Sequence, residues 1–213
     1  MKAKPILDGF QDTRLEWLHG CPLEYLVNDA GNVLTFSPSA CKDMWRRTYY
    51  EPPINKYDME VLVASVEGDS QVTLTAKFDL TAASQFDQAC LVVCVDEDHW
   101  LKAGIEFVDG EPRLSCVVTN NHSDWSSEPF VGDKTMCCSA YLRIHKKINS
   151  YIVEVFDSTK NDWRFIRIAH LEHWGYKKVN MGVGACCPTA QEGCSVSFSD
   201  FSLTHGTSFN HHA

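Results

Sequence analysis

The feature that most constrains this chain is an alternation of period two that recurs along most of its length. Val72, Leu74, Ala76 and Phe78 alternate with Gln71, Thr73, Thr75 and Lys77. Successive side chains of a strand point to opposite sides, so this segment reads as a strand with one buried face. Leu101, Ala103, Ile105 and Phe107 alternate in the same way with Trp100, Lys102, Gly104 and Glu106. The run 88–95 is apolar on both faces, the pattern of a central strand. Asp109-Gly110 supplies the positive φ angles of a tight hairpin leading into 113–119. Further runs at 140–146, 151–157, 164–169, 180–185 and 195–204 are separated by Gly, Asn, Asp and Ser clusters. About ten strands with regularly spaced turns predict an all-β fold, a two-sheet antiparallel jelly-roll sandwich. Short helical turns are expected only at 13–17 and 171–177.

At 213 residues the chain suits one β-sandwich domain, expected over 1–207, with a loose polar tail at 208–213. The formal net charge of -9 argues against a nucleic-acid partner, because phosphate binding needs clustered Lys and Arg. The start of the sequence has no apolar run suited to a signal peptide, and no later segment suits a membrane span; a cytoplasmic location is expected. Ten cysteines then have to be accommodated in a reducing compartment. None forms a Cys-x-x-Cys, and Cys90, Cys94 and Cys116 fall within apolar strand patterns. They read as small buried hydrophobes, with a zinc site the weaker alternative. His170-x-x-His173 has helical spacing but no matched carboxylate, so no metal or cofactor is expected.

The chemistry-bearing strand is 99–107. Its Leu, Ala, Ile and Phe residues form the core face, which leaves Trp100, Lys102 and Glu106 on the other face. An aromatic plate beside a cation and a carboxylate suits a polar ring-shaped ligand: the ring stacks on C–H surface and the charged groups hold hydroxyls. A competing reading places Glu106 opposite Arg113 across a two-residue turn, as a cross-strand ion pair. Tyr141, Arg143 and His145 share a polar face, as do Phe165 and Arg167. Trp125, in the loop-like stretch 123–126, is either a lid over a cleft or a plug for the core, and Trp45 after Asp43 carries the same ambiguity.

Several strings resemble the DUF1349 family. Asp43-Met44-Trp45-Arg46-Arg47-Thr48-Tyr49 is similar to its Asp-Phe-Trp-x-x-Thr-x-Tyr segment, and Phe86-Asp87-Gln88-Ala89-Cys90-Leu91 to its Tyr-Asp-Gln-Ala-Gly-Leu, with Cys90 in place of Gly. Trp100-Leu101-Lys102-Ala103-Gly104-Ile105-Glu106 resembles its Trp-x-Lys-x-Gly-x-Glu strand. Ser123-Asp124-Trp125-Ser126 and the later Gly184 to Pro188 match in order and spacing. The resemblance implies a concanavalin A-like sandwich. Through one branch of the family it also implies a regulatory association with the glycolytic enzyme enolase.

Three functions follow as expectations. The first is lectin-like, non-catalytic binding of a carbohydrate, polyol or sugar phosphate in a cleft lined by Trp45, Gln88, Trp100, Lys102, Glu106, Trp125, Arg143 and Arg167. In it Trp100 and Trp125 stack, Gln88, Lys102 and Glu106 fix hydroxyls, and the arginines admit an anionic group. The second is a protein-interaction role acting on a glycolytic enzyme. The third is glycoside hydrolysis by Glu106 with Asp87 or Asp124 as partner, which needs two carboxylates about 5 Å apart in a retaining enzyme.

Overall fold

The computed structural model describes residues 5–130, 137–172, 177–189, 193–207 and 209. Among these residues seventeen strands run in order: β1 (Pro5–Asp8), β2 (Glu16–Trp17), β3 (Tyr25–Val27), β4 (Val33–Phe36), β5 (Met44–Arg46), β6 (Asn55–Tyr57), β7 (Glu60–Glu67), β8 (Gln71–Thr81), β9 (Gln88–Asp96), β10 (His99–Val108), β11 (Glu111–Asn120), β12 (His122–Pro129), β13 (Cys137–Lys147), β14 (Ser150–Asp157), β15 (Asp162–His170), β16 (Lys178–Cys186) and β17 (Ser195–His205). No helix occurs among the described residues. An eight-stranded sheet has the order β15-β14-β13-β8-β17-β4-β3, with β1 also on β17, and a seven-stranded sheet has the order β12-β11-β10-β9-β16-β7-β2. All strand pairs within them are antiparallel.

The alternation read from the sequence decides which side of each strand is inside. Leu74, Phe78, Leu142, Ile144, Val153 and Phe198 of one sheet meet Leu62, Leu91, Leu101, Ile105, Leu114 and Val183 of the other in one buried cluster. Each such side chain removed from water stabilises the fold by about 1.5–3 kcal/mol, and sheets packed face to face are the expected result.

The seven-stranded sheet is buried on its outer face as well. Val61, Val63, Cys90, Val92, Trp100, Val117 and Cys186 project outward and are capped by Met44 and Met59 in a second cluster. The cap is the small β5–β6 hairpin, in which Met44 faces Tyr57 and Trp45 faces Lys56. Arg46 pins it to the sheet: its Nε donates to Asp98 Oδ1 at 2.6 Å, and its amide donates to Ser123 Oγ at 2.9 Å.

Three local expectations change. Thr13 and Arg14 form a turn, but Glu16–Trp17 then extends as β2 along β7 instead of continuing a helical turn. Leu171 and Glu172 are irregular, and the rest of that proposed turn lies largely outside the described residues, as does the tail apart from Phe209. Segment 123–126 is strand, not loop: it is part of β12, with Trp125 opposite Val117. Asn121 at φ 62° makes the connection that lets β12 fold straight back on β11. A short polar side chain tolerates this left-handed conformation better than most.

Candidate functional site

The hairpin after β10 is the expected two-residue turn, with φ of 53° at Asp109 and 83° at Gly110. Its register does set Glu106 opposite Arg113. The ion pair that this register allows is replaced by other contacts. Arg113 Nε donates to Ser127 Oγ at 2.9 Å. Glu106 Oε2 instead accepts the Ser115 hydroxyl at 2.6 Å, and Oε1 faces Gln88 Nε2 at 3.5 Å. Trp125 Nε1 donates to the same Ser115 Oγ at 2.8 Å. An indole N–H, a hydroxyl and a carboxylate thus form one chain across β10, β11 and β12.

Lys102 lies two residues before Gly104 and four before Glu106, on the same outward face. Its Nζ donates to Asp43 Oδ1 at 3.1 Å and sits 5.8 Å from the Trp100 ring centroid. Asp43 comes from the turn entering β5, and the Met44 amide also donates to its Oδ1, at 2.7 Å. The covering hairpin therefore brings the counter-charge to a lysine the sheet has buried. Burial is the largest single influence on the Lys102 ammonium and works against it, yet Asp43, Cys186, Glu106 and Cys90 together outweigh burial and the pKa is raised. Burial likewise raises the pKa of Glu106, against the opposing pull of Lys102 and the Ser115 hydrogen bond.

Above these groups is a pocket of about 210 Å³. Asp43, Lys56, Lys102 and Glu106 supply its charged lining and Thr189 a hydroxyl-bearing side chain. Trp45, Tyr50, Phe86, Trp125, Ile54 and Pro188 supply apolar walls. Trp45 and Trp125 meet edge to face at 6.4 Å, and Trp45 meets Tyr50 at 5.8 Å. Burial is the main reason the Tyr50 phenol is pushed up, with Asp43 and Glu106 adding to it.

Four of the expected residues, Trp45, Lys102, Glu106 and Trp125, thus line one pocket, and Gln88 braces Glu106 beside it. Trp100 does not stack on a ligand. It is fully buried under the hairpin, with its Nε1 donating to Glu97 O, because the outward face of β10 is covered by a layer the strand pattern does not display. Arg143 is on the other sheet, with Nε 2.6 Å from Glu154 and its guanidinium 4.2 Å from the Trp163 ring centroid. Arg167 does not share a face with Phe165. A register shift between Val153 and Glu154 sets Arg167 opposite Val153 and Phe165 opposite Glu154, so Arg167 turns to the sandwich edge and binds Asp124 and Ser126. Asp87 is buried, its Oδ2 accepting the amides of Ala83 and Ser84 at 2.8 Å, and Asp124 faces Arg167. Neither lines the pocket with Glu106. Sequence reasoning missed Tyr50, Phe86, Ser115 and Thr189 as site residues, and passed over Asp43 as a partner for Lys102. Only the Lys102 spacing, a cation on a strand in need of a counter-charge, hinted at the last.

A larger cavity of about 720 Å³ lies near Tyr141 and Phe130. Among its polar lining groups, Ser139 is engaged with Asp79 and Arg164 with Glu128.

A family model described as "Protein of unknown function (DUF1349)" matches residues 22–206. The chain belongs to the DUF1349 family. It is 34% identical over 179 residues to Regulation of enolase protein 1 of Saccharomyces cerevisiae, covering 84% of each chain. A crystal structure of a functionally unknown protein from the same yeast superposes with a TM-score of 0.79 at 30% identity, over 92% of this chain and 98% of that one. A GH43 protein from Bacillus licheniformis superposes at 0.71 with 10% identity, over 95% of this chain and 38% of that much longer one. That likeness shows the fold alone: a concanavalin A-like sandwich that also occurs within glycoside hydrolases. The DUF1349 strings that carried the resemblance converge at the site, since Asp43, Trp45, Lys102, Glu106 and Trp125 all come from them.

Proposed function

We propose that the pocket binds a small neutral polyhydroxylated ring, a single sugar or cyclitol, without turning it over. The observation that carries this reading is a floor of Lys102 and Glu106 beneath walls of Trp45, Tyr50, Phe86 and Trp125. Aromatic faces suit the C–H side of a sugar ring, and a buried cation beside a carboxylate offers one donor and one acceptor to neighbouring hydroxyls. The size favours one ring over an oligomer, since ligand pockets commonly reach about 300–1,000 Å³. The two arginines expected to admit a phosphate lie elsewhere, and Lys102 is already matched by Asp43, so a sugar phosphate loses its support. Hydrolysis is disfavoured because Glu106 is held by Ser115 and its proposed partners Asp87 and Asp124 lie outside the pocket.

The test is a thermal-shift and NMR titration against neutral pentoses, hexoses and cyclitols, with their phosphates and a disaccharide for comparison. A ligand at ten times its dissociation constant stabilises the protein by about 1.4 kcal/mol. The expected result is a shift with a monomeric ring that disappears in Glu106→Gln. No shift across the panel, or one unchanged in Glu106→Gln, overturns the reading.

A second reading is a regulatory contact with a glycolytic enzyme such as enolase. It is favoured by the name of the 34% identical yeast relative and by two exposed leucines, Leu23 just before the edge strand β3 at 97% and Leu26 within it at 67%. Calorimetry with purified enolase tests it, and Leu23→Ser with Leu26→Ser is expected to abolish any heat of binding.

A further inference from the structure

Behind the pocket wall lie three side chains that the polyol site does not use. Asp87, Cys187 and Cys194 bring one potential ligand atom each to within 4.8 Å of one another. They are 0%, 0% and 1% exposed. Asp87 precedes β9, Cys187 follows β16 and Cys194 precedes β17, so the cluster joins ends of both sheets.

Two independent observations point to a cation. While Asp87 Oδ2 accepts two backbone amides, its Oδ1 is buried without a hydrogen-bond partner. A carboxylate oxygen in that position is costly unless something positive meets it. The second observation concerns sulfur. Cys187 Sγ accepts the Cys194 amide at 3.2 Å, and its thiol donates to Cys194 Sγ at 3.1 Å. Both sulfurs therefore converge beside the Asp87 carboxylate, and thiols so placed bind a metal by giving up their protons to it.

We propose that Asp87, Cys187 and Cys194 form a zinc site. Two sulfurs and one carboxylate oxygen suit borderline-soft zinc better than magnesium or calcium, which prefer all-oxygen sets. Zinc bonded to sulfur at about 2.3 Å in tetrahedral geometry holds two sulfurs somewhat under 4 Å apart. The pair at 3.1 Å therefore has only to open slightly. A disulfide at about 2.05 Å would have to close by about 1 Å, and it would leave the Asp87 oxygen unmatched. On loading, one Zn²⁺ replaces two thiol protons and gains the carboxylate, so two protons are released and the site carries one net negative charge. The amides of Ala83 and Ser84 hold the carboxylate in orientation, as supporting hydrogen bonds do around metal ligands. The placement gives the ion a structural consequence: Phe86 adjoins Asp87, and Pro188 and Thr189 follow Cys187, so the metal ties together two stretches of pocket wall. The proposal does not depend on which ligand the pocket takes.

The experiment uses the full chain purified with reductant, dialysed against zinc and then against metal-free buffer. Zinc is counted by plasma mass spectrometry, and Co²⁺ is titrated into stripped protein. The expected result is one zinc per chain and a near-ultraviolet thiolate-to-cobalt band. Asp87→Asn keeps an oxygen for the two amides and is expected to weaken Co²⁺ binding at least about tenfold, while Cys194→Ser removes the band. Wild-type protein that retains no zinc and shows no cobalt band overturns the proposal. So does a chain two hydrogens lighter without reductant that binds neither metal even when reduced, which would make the cysteines a disulfide pair. If neutral sugars bind in either event, the pocket reading stands on its own.

Discussion

The outer faces of the two sheets carry the same kinds of residue and use them differently. On the eight-stranded sheet, Arg143 and His145 both approach Glu154 Oε2, at 2.6 and 2.8 Å. His145 Nδ1 lies 2.8 Å from Thr73 Oγ1, and that hydroxyl donates to the Gly206 carbonyl. Tyr141, Phe156 and Trp163 pack on one another beside them. The charges there come from neighbouring strands of one sheet and close on themselves. On the seven-stranded sheet, Lys102 takes its counter-charge from a hairpin in a different part of the chain, and the hairpin that supplies Asp43 also raises the aromatic walls of the pocket. The difference teaches that an aromatic-and-charged strand face marks a site only where a covering segment leaves some of its polar groups facing a cavity.

The largest expected effect breaks the covering pair. Lys102→Met leaves Asp43 beneath the hairpin without its cation and should lower stability by about 3–5 kcal/mol in urea melts, the usual cost of orphaning one member of a buried pair. A smaller loss would mean that Asp43 is solvated and the hairpin is not a true cover. Next is Gly104→Ala. Gly104 lies between Lys102 and Glu106 on β10, where an added Cβ would fall 2.0 Å from the Ala89 carbonyl oxygen and 2.6 Å from Cys90 Cα. The strands must part, and a cost of about 1–3 kcal/mol is expected, with weakened ligand binding in the same titration.

The third prediction is a pH dependence. Because burial raises the Glu106 pKa above its ordinary 4.5, the unfolded chain loses this proton first as pH rises, while the native state keeps it. Stability should therefore fall between pH 4.5 and the raised native value, with a slope approaching about 1.4 kcal/mol per pH unit from this group. Glu106→Gln should remove that component, and an unchanged slope would place the carboxylate in contact with water. Smallest is Arg167→Ala. Its partner Asp124 is 71% exposed, so the loss should be at most about 1 kcal/mol, with ligand binding unaffected. An altered affinity would show that the sandwich edge and the pocket are coupled.

How far the site could be read from the sequence follows from the range of each interaction. The β10–β11 hairpin, its register and its core face were legible because the alternation of side chains and the Asp109-Gly110 turn are local rules. The same rules placed Lys102 and Glu106 on one face. They misplaced Arg167, because a single unpaired residue in β15 flips the face and no residue there announces it. They also took Trp100 for a ligand platform, since the strand pattern cannot show that 44–59 folds over it.

The all-β two-sheet class, the long strands from β8 to β11 and from β13 to β17, and the family were readable in the sequence alone, since these rest on period-two patterning, turn residues and ordered strings. Only the tertiary structure decided which outward face became a pocket, that Asp43 would meet Lys102 from 59 residues away, and that Glu106 would choose Ser115 over Arg113. Those outcomes depend on segments distant in the chain competing for the same buried space, where desolvation makes each unpaired charge costly and the partner is whichever group packing brings within reach.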